Sequence, residues 1–375
     1  MVSWPAVPLL KPFRALRYDV GAAGSLDDLV APPYDVVTAE AQARLEARSP
    51  WNVVRLVRPE RPADAARALA DWVERGILVR EERQALWLLA EEFTGPDGVL
   101  RTRRGIVGRV RLEPYRAGSV LPHEQTFAPA KEARLELLRA LRTKPSAILL
   151  LHHGSAPAPE GQPDLVAELD GVVSRLWRVE EPAAIEALAG AVREPLLVAD
   201  GHHRYETALR YHAEEGSEET AYVLAVLVGK DDEGLEIFPT HRLTGGAVPE
   251  LDGDVRRTAL ADPEEAQAAL GSAPRDRAAF ALLRPEGAVL IEAAEPGLDT
   301  AFVDALPLED VRYTPSVAEA RAAVESGEAT AAFLVRPPTV EQVEAFARAG
   351  ERMPPKSTYF YPKLTSGLLL SPFDE

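Results

Sequence analysis

The chain has 375 residues, 46% of them hydrophobic and 27% charged, with a formal net charge of −17 and no cysteine. That length holds two or three structural units with ample apolar material and excludes a single small module. The missing cysteine excludes disulfides, thiolate metal sites and cysteine nucleophiles, while the acidic balance argues against a nucleic-acid partner and permits one locally basic pocket.

The first residues, MVSWPAVPLLKPFRALRYD, lack the charged start, apolar run and small-residue cleavage site of a signal peptide. No apolar stretch approaches the roughly 20 residues of a membrane span, so a cytoplasmic protein with no membrane partner is expected. From Trp51, NVVRLVRPE reads as a buried strand, and ADAARALADWVERGIL has helical spacing up to a glycine. ALWLLAEEF and VLRTRRGIVGRVRLEP read as strands joined at Gly95-Pro96-Asp97-Gly98, a hairpin turn.

A new unit is expected to begin near Gly105. Lys131 to Leu141 reads as an amphipathic helix, SAILLLHH and LWRVEE as strands, and PAAIEALAGAVR as a helix opened by proline. EPLLVAD is a short strand, HHRYETALRYHAEEG a helix, and TAYVLAVLVG and EIFPTHRL supply further strands. The Pro/Gly/Asp-rich stretch from Gly245 to Gly253 marks the next boundary. Beyond it FALLRPEGAVLIEA predicts a hairpin, SVAEARAAVESG and VEQVEAFARAG helices, and ATAAFLVRPP and TSGLLLSP strands. The expected organisation is α/β (α+β), divided into residues 1–104, 105–245 and 246–375.

Chemistry concentrates at LLVADGHHRYETAL (196–209), where an apolar strand runs directly into Asp200-Gly201-His202-His203-Arg204 and a helix. Gly201 permits a tight turn, the helix start supplies unpaired N–H groups, and Arg204 carries a fork suited to phosphate oxygens. Asp200 is either an N-cap or a functional carboxylate. Of the two histidines, one can face a ligand while the other packs; His212 falls on the core face with Tyr205, Ala208 and Leu209.

In LPHEQTF (121–127), Glu124 is a candidate general base or cation ligand, or else a surface carboxylate in a turn. FPTHRL (238–243) ends a strand with His241-Arg242, which either line the same cleft or lie solvated at a strand edge. ERMPPKSTYFYPKL gathers Lys356 and Lys363 in a chain where lysine is scarce. Its PKST lacks the glycines of a phosphate-binding loop. His152-His153 has no carboxylate or thiolate partners at metal-binding spacing.

APPYDVV (31–37), LPHEQTF, VADGHHRYETAL (198–209), FPTHRL and ERMPPKSTYFYPKL (351–364) resemble, in order, the recurring segments of a family of conserved proteins known as domain of unknown function 1015. DGHHR also resembles the phosphate-contacting motif of the ParB and sulfiredoxin superfamily, which includes kinases of free L-serine. The resemblance implies a ParB/sulfiredoxin-like core flanked by N- and C-terminal α/β units, with nucleotide binding, ATP or ADP, and Mg²⁺. It implies that Glu124 matches the base of those kinases. Sulfiredoxin chemistry does not transfer, because that branch uses a cysteine.

The expected activity is a nucleotide- and Mg²⁺-dependent phosphotransfer to a small hydroxyl metabolite, with free L-serine one candidate. Gly201, His202, His203 and Arg204 would hold the phosphates, with His241, Arg242 and Lys356 as further cofactor-binding residues. Glu124, Asp200 and His203 would be catalytic and Asp200 the metal ligand. The alternatives are a non-catalytic nucleotide-binding regulator and a nucleotide hydrolase.

Overall fold

Two long strands, Leu86–Thr94 and Leu100–Arg111, form the predicted hairpin in the computed structural model, which describes residues 9–250, 254–260 and 265–373. Gly98 takes φ +77° at its turn, where Asp97 accepts from the Val99 N–H at 3.1 Å. The chain divides into two compact units, Met1–Leu235 with Pro362–Glu375, and Glu236–Tyr361. This differs from the three units expected. Position 104/105 falls inside the second hairpin strand, whose pairing with the first continues across it. Residues 251–253 of the expected linker, like residues 1–8, lie outside the described residues.

The first unit is built on a nine-stranded mixed sheet. Its order is Val120–Pro122, Leu196–Asp200, Ile148–His152, Tyr222–Gly229, Leu100–Arg111, Leu86–Thr94, Val172–Val179 and Leu165–Leu169, with Leu10–Lys11 also pairing to Leu100–Arg111. Tyr222–Gly229 is buried throughout, as its unbroken apolar run requires, and lies between Ile148–His152, to which it is parallel, and Leu100–Arg111, to which it is antiparallel. Leu86, Ile106, Ile148, Leu196, Val198 and Leu227 share one core with Tyr205 and Ala208 of the helix His202–Glu215.

Two expected strands are not formed. The run after Trp51 becomes a helical turn, Val54–Val57, because the buried Asn52 side chain donates to the Asp28 and Val30 carbonyls at 2.7 and 3.0 Å and accepts from the Val54 N–H at 2.9 Å. TSGLLLSP keeps only Ser371–Pro372 as a strand, against Thr143–Lys144; Ser366 and Leu370 instead make single bridges to Ala31 and Leu16.

The second unit carries a six-stranded antiparallel sheet in the order Val255–Leu260, Gly287–Ala293, Ala279–Arg284, Ala331–Val335, His241–Thr244 and Arg312–Thr314. The apolar residues of Ala279–Arg284 alternate between two cores, Ala279, Ala281 and Leu283 in one and Phe280 and Leu282 in the other. Among the described residues no helix is long and apolar enough to cross a membrane.

Within the first unit, Arg103 and Glu91 face each other across the hairpin, 0% and 1% exposed, with Nη2 of Arg103 2.6 Å from Oε2 of Glu91 and 2.9 Å from the Pro362 carbonyl. Removing one member leaves the other's charge buried with too few partners. Glu91→Ala is predicted to lower stability by about 3–5 kcal/mol, and combining Glu91→Leu with Arg103→Met to recover most of that loss. Urea denaturation of the unmodified protein and the two variants checks the ordering.

Candidate functional site

The edge strand Val120–Pro122 runs parallel to Leu196–Asp200, in the register Leu196 with Val120, Leu197 with Leu121 and Val198 with Pro122. Parallel neighbours end on the same side of a sheet, so His123-Glu124 and Asp200-Gly201 emerge side by side at the strands' C-terminal ends. Pro122 has no N–H to continue the ladder, and the chain leaves the sheet there.

Gly201 is the N-cap of the helix His202–Glu215, and no side chain caps that helix. Its φ is +99°, and a Cβ there would lie 2.6 Å from Cγ2 of Ile148, so glycine is required twice over. The helix start therefore presents backbone N–H donors, with the positive end of the helix dipole, toward an anion.

The loop after Pro122 is tied onto this helix start by a run of contacts. The His123 N–H donates to Nε2 of His202 at 3.3 Å, and the Phe127 N–H to Nε2 of His203 at 3.1 Å. Thr126 and Lys131 donate to the Glu206 carboxylate at 2.7 and 2.8 Å. His123 and His202, both buried, meet edge to face at 4.6 Å between centroids. Nδ1 of His123 lies 2.9 Å from the Val198 carbonyl, which selects the Nδ1–H tautomer.

The contact with the His123 N–H makes Nε2 of His202 an acceptor, which places the proton of a neutral ring on Nδ1. That buried Nδ1 has no aligned hydrogen-bond partner and lies 3.3 Å from Oε2 of Glu124. Burial pushes the Glu124 carboxyl up, but His202, His123 and Lys363 outweigh it and hold the group down at about 2. Glu124 is thus an ionised carboxylate, its side chain 38% exposed.

Asp200 is buried and has an oxygen for each of two cations. Oδ2 lies 2.5 Å from Nη2 of Arg204, and Oδ1 accepts from Nζ of Lys363. Burial pushes Asp200 up, while Lys363 and Arg204 bring it down to about 2. Arg204 also donates to the Ala147 carbonyl, which holds its guanidinium beside the strand end.

His123, Glu124 and His202 are close enough together to hold a metal ion, yet the His202 tautomer turns a proton rather than a lone pair toward Glu124. A hard cation such as Mg²⁺ takes oxygen, so the donor set fits it through Glu124 and solvent. Asp200, the expected ligand, fits less well because both of its oxygens are already engaged.

The structure thus brings Glu124, Asp200, Gly201, His202, His203 and Arg204 together. His241, Arg242 and Lys356 belong to the second unit. There Nδ1 of His241 accepts from the Val335 N–H at 3.2 Å, buried Arg242 pairs with Asp304 through two 2.8 Å contacts, and exposed Lys356 takes φ +58°. Sequence reasoning singled out Lys363 only for its rarity and gave it no role. Nothing local in the sequence links it to Asp200, 163 positions away.

A family model described as "Protein of unknown function (DUF1015)" matches residues 10–310, well over half of the chain, and the chain belongs to that family. No curated protein matches it. Among solved structures it is similar to a free serine kinase in complex with AMP, at 17% identity over 70% of this chain and 91% of that one, with a TM-score of 0.39. It is similar to a conserved hypothetical protein from Pyrococcus furiosus at 18% identity, 68% and 90% coverage and a TM-score of 0.35. It is also similar to C-terminally truncated SbnI from Staphylococcus aureus at 13% identity, 70% and 86% coverage and a TM-score of 0.38.

Burial lowers His123 to about 3, with His202 adding to the effect, and lowers His152 to about 4; His203 is lowered too. The unfolded chain binds protons at these sites below about pH 6.5 while the folded one does not. Their stabilisation is therefore complete above that pH and is lost as pH falls toward 4, by about 1.4 kcal/mol per unit for each fully buried ring. The predicted urea midpoint falls steadily over pH 6.5 to 4, and less steeply in a folded His123→Gln variant.

Proposed function

We propose that this member of the family is a nucleotide- and Mg²⁺-dependent phosphotransferase acting on a small hydroxyl metabolite, free L-serine being the first acceptor to test. The observation that carries the reading is the meeting of an ionised carboxylate, Glu124, with an uncapped, glycine-led helix start at the ends of two parallel strands. The motif resemblance to the ParB-like serine kinases supports the same assignment.

In this reading the N–H groups after Gly201 receive phosphate oxygens, and Arg204, fixed by Asp200, supplies a cation beside them. His203 contributes as a neutral ring, because burial lowers its affinity for a proton. A bound Mg²⁺ would neutralise phosphate charge and would meet Glu124 only through solvent, which leaves that carboxylate to the acceptor. Glu124 orients the acceptor hydroxyl and takes its proton late, which a loose phosphoryl-transfer transition state allows even to a weak base. That same weakness favours the second reading, a nucleotide-binding regulator that needs the helix start but no base.

Arg204→Ala is predicted to weaken nucleotide binding by about 1.5–3 kcal/mol through lost charge-assisted hydrogen bonds. Calorimetry with ATP and ADP measures this, and unchanged affinity for each would remove the phosphate site. Glu124→Gln keeps the size but not the base. Nucleotide affinity should persist while turnover, followed by phosphorus NMR across hydroxyl acceptors, falls about 10²–10⁴-fold. Wild-type turnover in that variant would defeat the base assignment, and binding without turnover in the unmodified protein would select the regulator.

A further inference from the structure

On another face of the helix His202–Glu215 lies a half-open pocket with a cavity volume of about 70 Å³, separate from the Glu124 carboxylate. Its walls are apolar, formed by Leu137, Leu138, Leu141, Ile148, Ala208 and Val223. Tyr34, Arg134, Lys144, Arg204 and Thr207 also line it, and no aspartate or glutamate does. In a chain with a net charge of −17, a pocket lined by the guanidinium groups of Arg134 and Arg204 and by no acid is set against the general field, while burial pushes the Lys144 ammonium well below its ordinary range.

Arg204 is compensated by Asp200, but among the described residues Arg134 is not paired in this way. Arg134 lies 4.0 Å from the Tyr34 ring centroid and donates to the Val57 carbonyl at 2.6 Å. Asp35 influences it only from beyond salt-bridge distance. Buried Lys144 donates to the Tyr222 carbonyl and sits 4.0 Å from the Phe373 ring centroid. Among the described residues neither forms a salt bridge. Arg134 is half-buried, where a ring face and a carbonyl only partly replace a counter-ion. Thr207 adds a polar group at the same wall, its buried Oγ1 having no hydrogen-bond partner among the described residues.

We infer that this pocket binds a small amphiphilic anion, whose apolar body packs against the leucine-rich wall and whose single negative head pairs with Arg134. The lining is that of a small-molecule site, mostly apolar with a few polar groups that fix orientation, and its small volume limits the enclosed part to a compact group. The occupant is distinct from the nucleotide although Arg204 borders both sites, and the test below separates the two.

The test uses the full chain and two fluorescent probes, anilinonaphthalene sulfonate and its uncharged analogue N-phenylnaphthylamine. The sulfonate probe should bind saturably at one equivalent and at least about tenfold more tightly than the uncharged one. Arg134→Gln should remove that preference and Arg134→Lys should retain part of it, with far-ultraviolet dichroism reporting folding. Equal affinity for the two probes in the unmodified protein, which needs no variant to fold, would overturn the proposal. So would sulfonate binding that a folded Arg134→Gln leaves unchanged, or stoichiometric displacement of the probe by ATP or ADP, which would make the pocket part of the nucleotide site. ATP and ADP affinities measured alongside report on the phosphotransferase reading alone.

Discussion

The position of every group in the candidate site depends on one short pairing, Val120–Pro122 laid parallel to Leu196–Val198 at the edge of the large sheet. A parallel pair cannot be closed by a tight turn, and here a long excursion of helix and strands separates the two. The pairing brings together two loops that are remote in sequence and points both the same way. Pro122 then stops the ladder, freeing His123 and Glu124 to fold over the helix start, where His202 and His203 accept their loop's N–H groups. An antiparallel pairing would send the two loops to opposite ends of the sheet.

The second constraint is electrostatic. Asp200 closes a buried strand, and burying an unpaired carboxylate would be costly, so the fold supplies Arg204 from the next helical turn and Lys363 from near the C-terminus. The segment bringing Lys363 continues into bridges at Ser366 and Leu370 and a short strand against Thr143–Lys144, while Arg109 donates to Oγ of Ser371 at 2.8 Å. The C-terminal residues are thus part of the first unit's fabric as well as its charge balance. Glu124 stays ionised for a related reason: nearby positive and polarised groups outweigh its partial burial.

Much of the fold was legible from period and punctuation. The hairpin turn at Gly95 to Gly98, the proline-opened helix Pro182–Ala191, and the strand-glycine-helix sequence around Gly201 each combine a clear hydrophobic period with a residue whose backbone needs are unusual. The run after Trp51 misled because four or five apolar residues fit a buried strand and a buried helical turn equally well, and Asn52 decided between them through carbonyls more than twenty residues away. TSGLLLSP misled in the same way: its leucines are buried, but their neighbours are single bridges to remote segments.

By itself the sequence determined which residue types could do chemistry and where a backbone could bend to present them. Gly201 is readable because only glycine tolerates that turn, and Glu124 and Arg204 because they flank strand and helix signals. The tertiary structure alone decided which charges meet. Only the folded chain gives Lys363 to Asp200, turns the Nδ1 proton of His202 toward Glu124, and sets Arg134 over the Tyr34 ring. The physical reason is range: backbone preferences act over a few residues and leave local marks, whereas Coulomb and burial energies depend on distances through space that no spacing along the chain records.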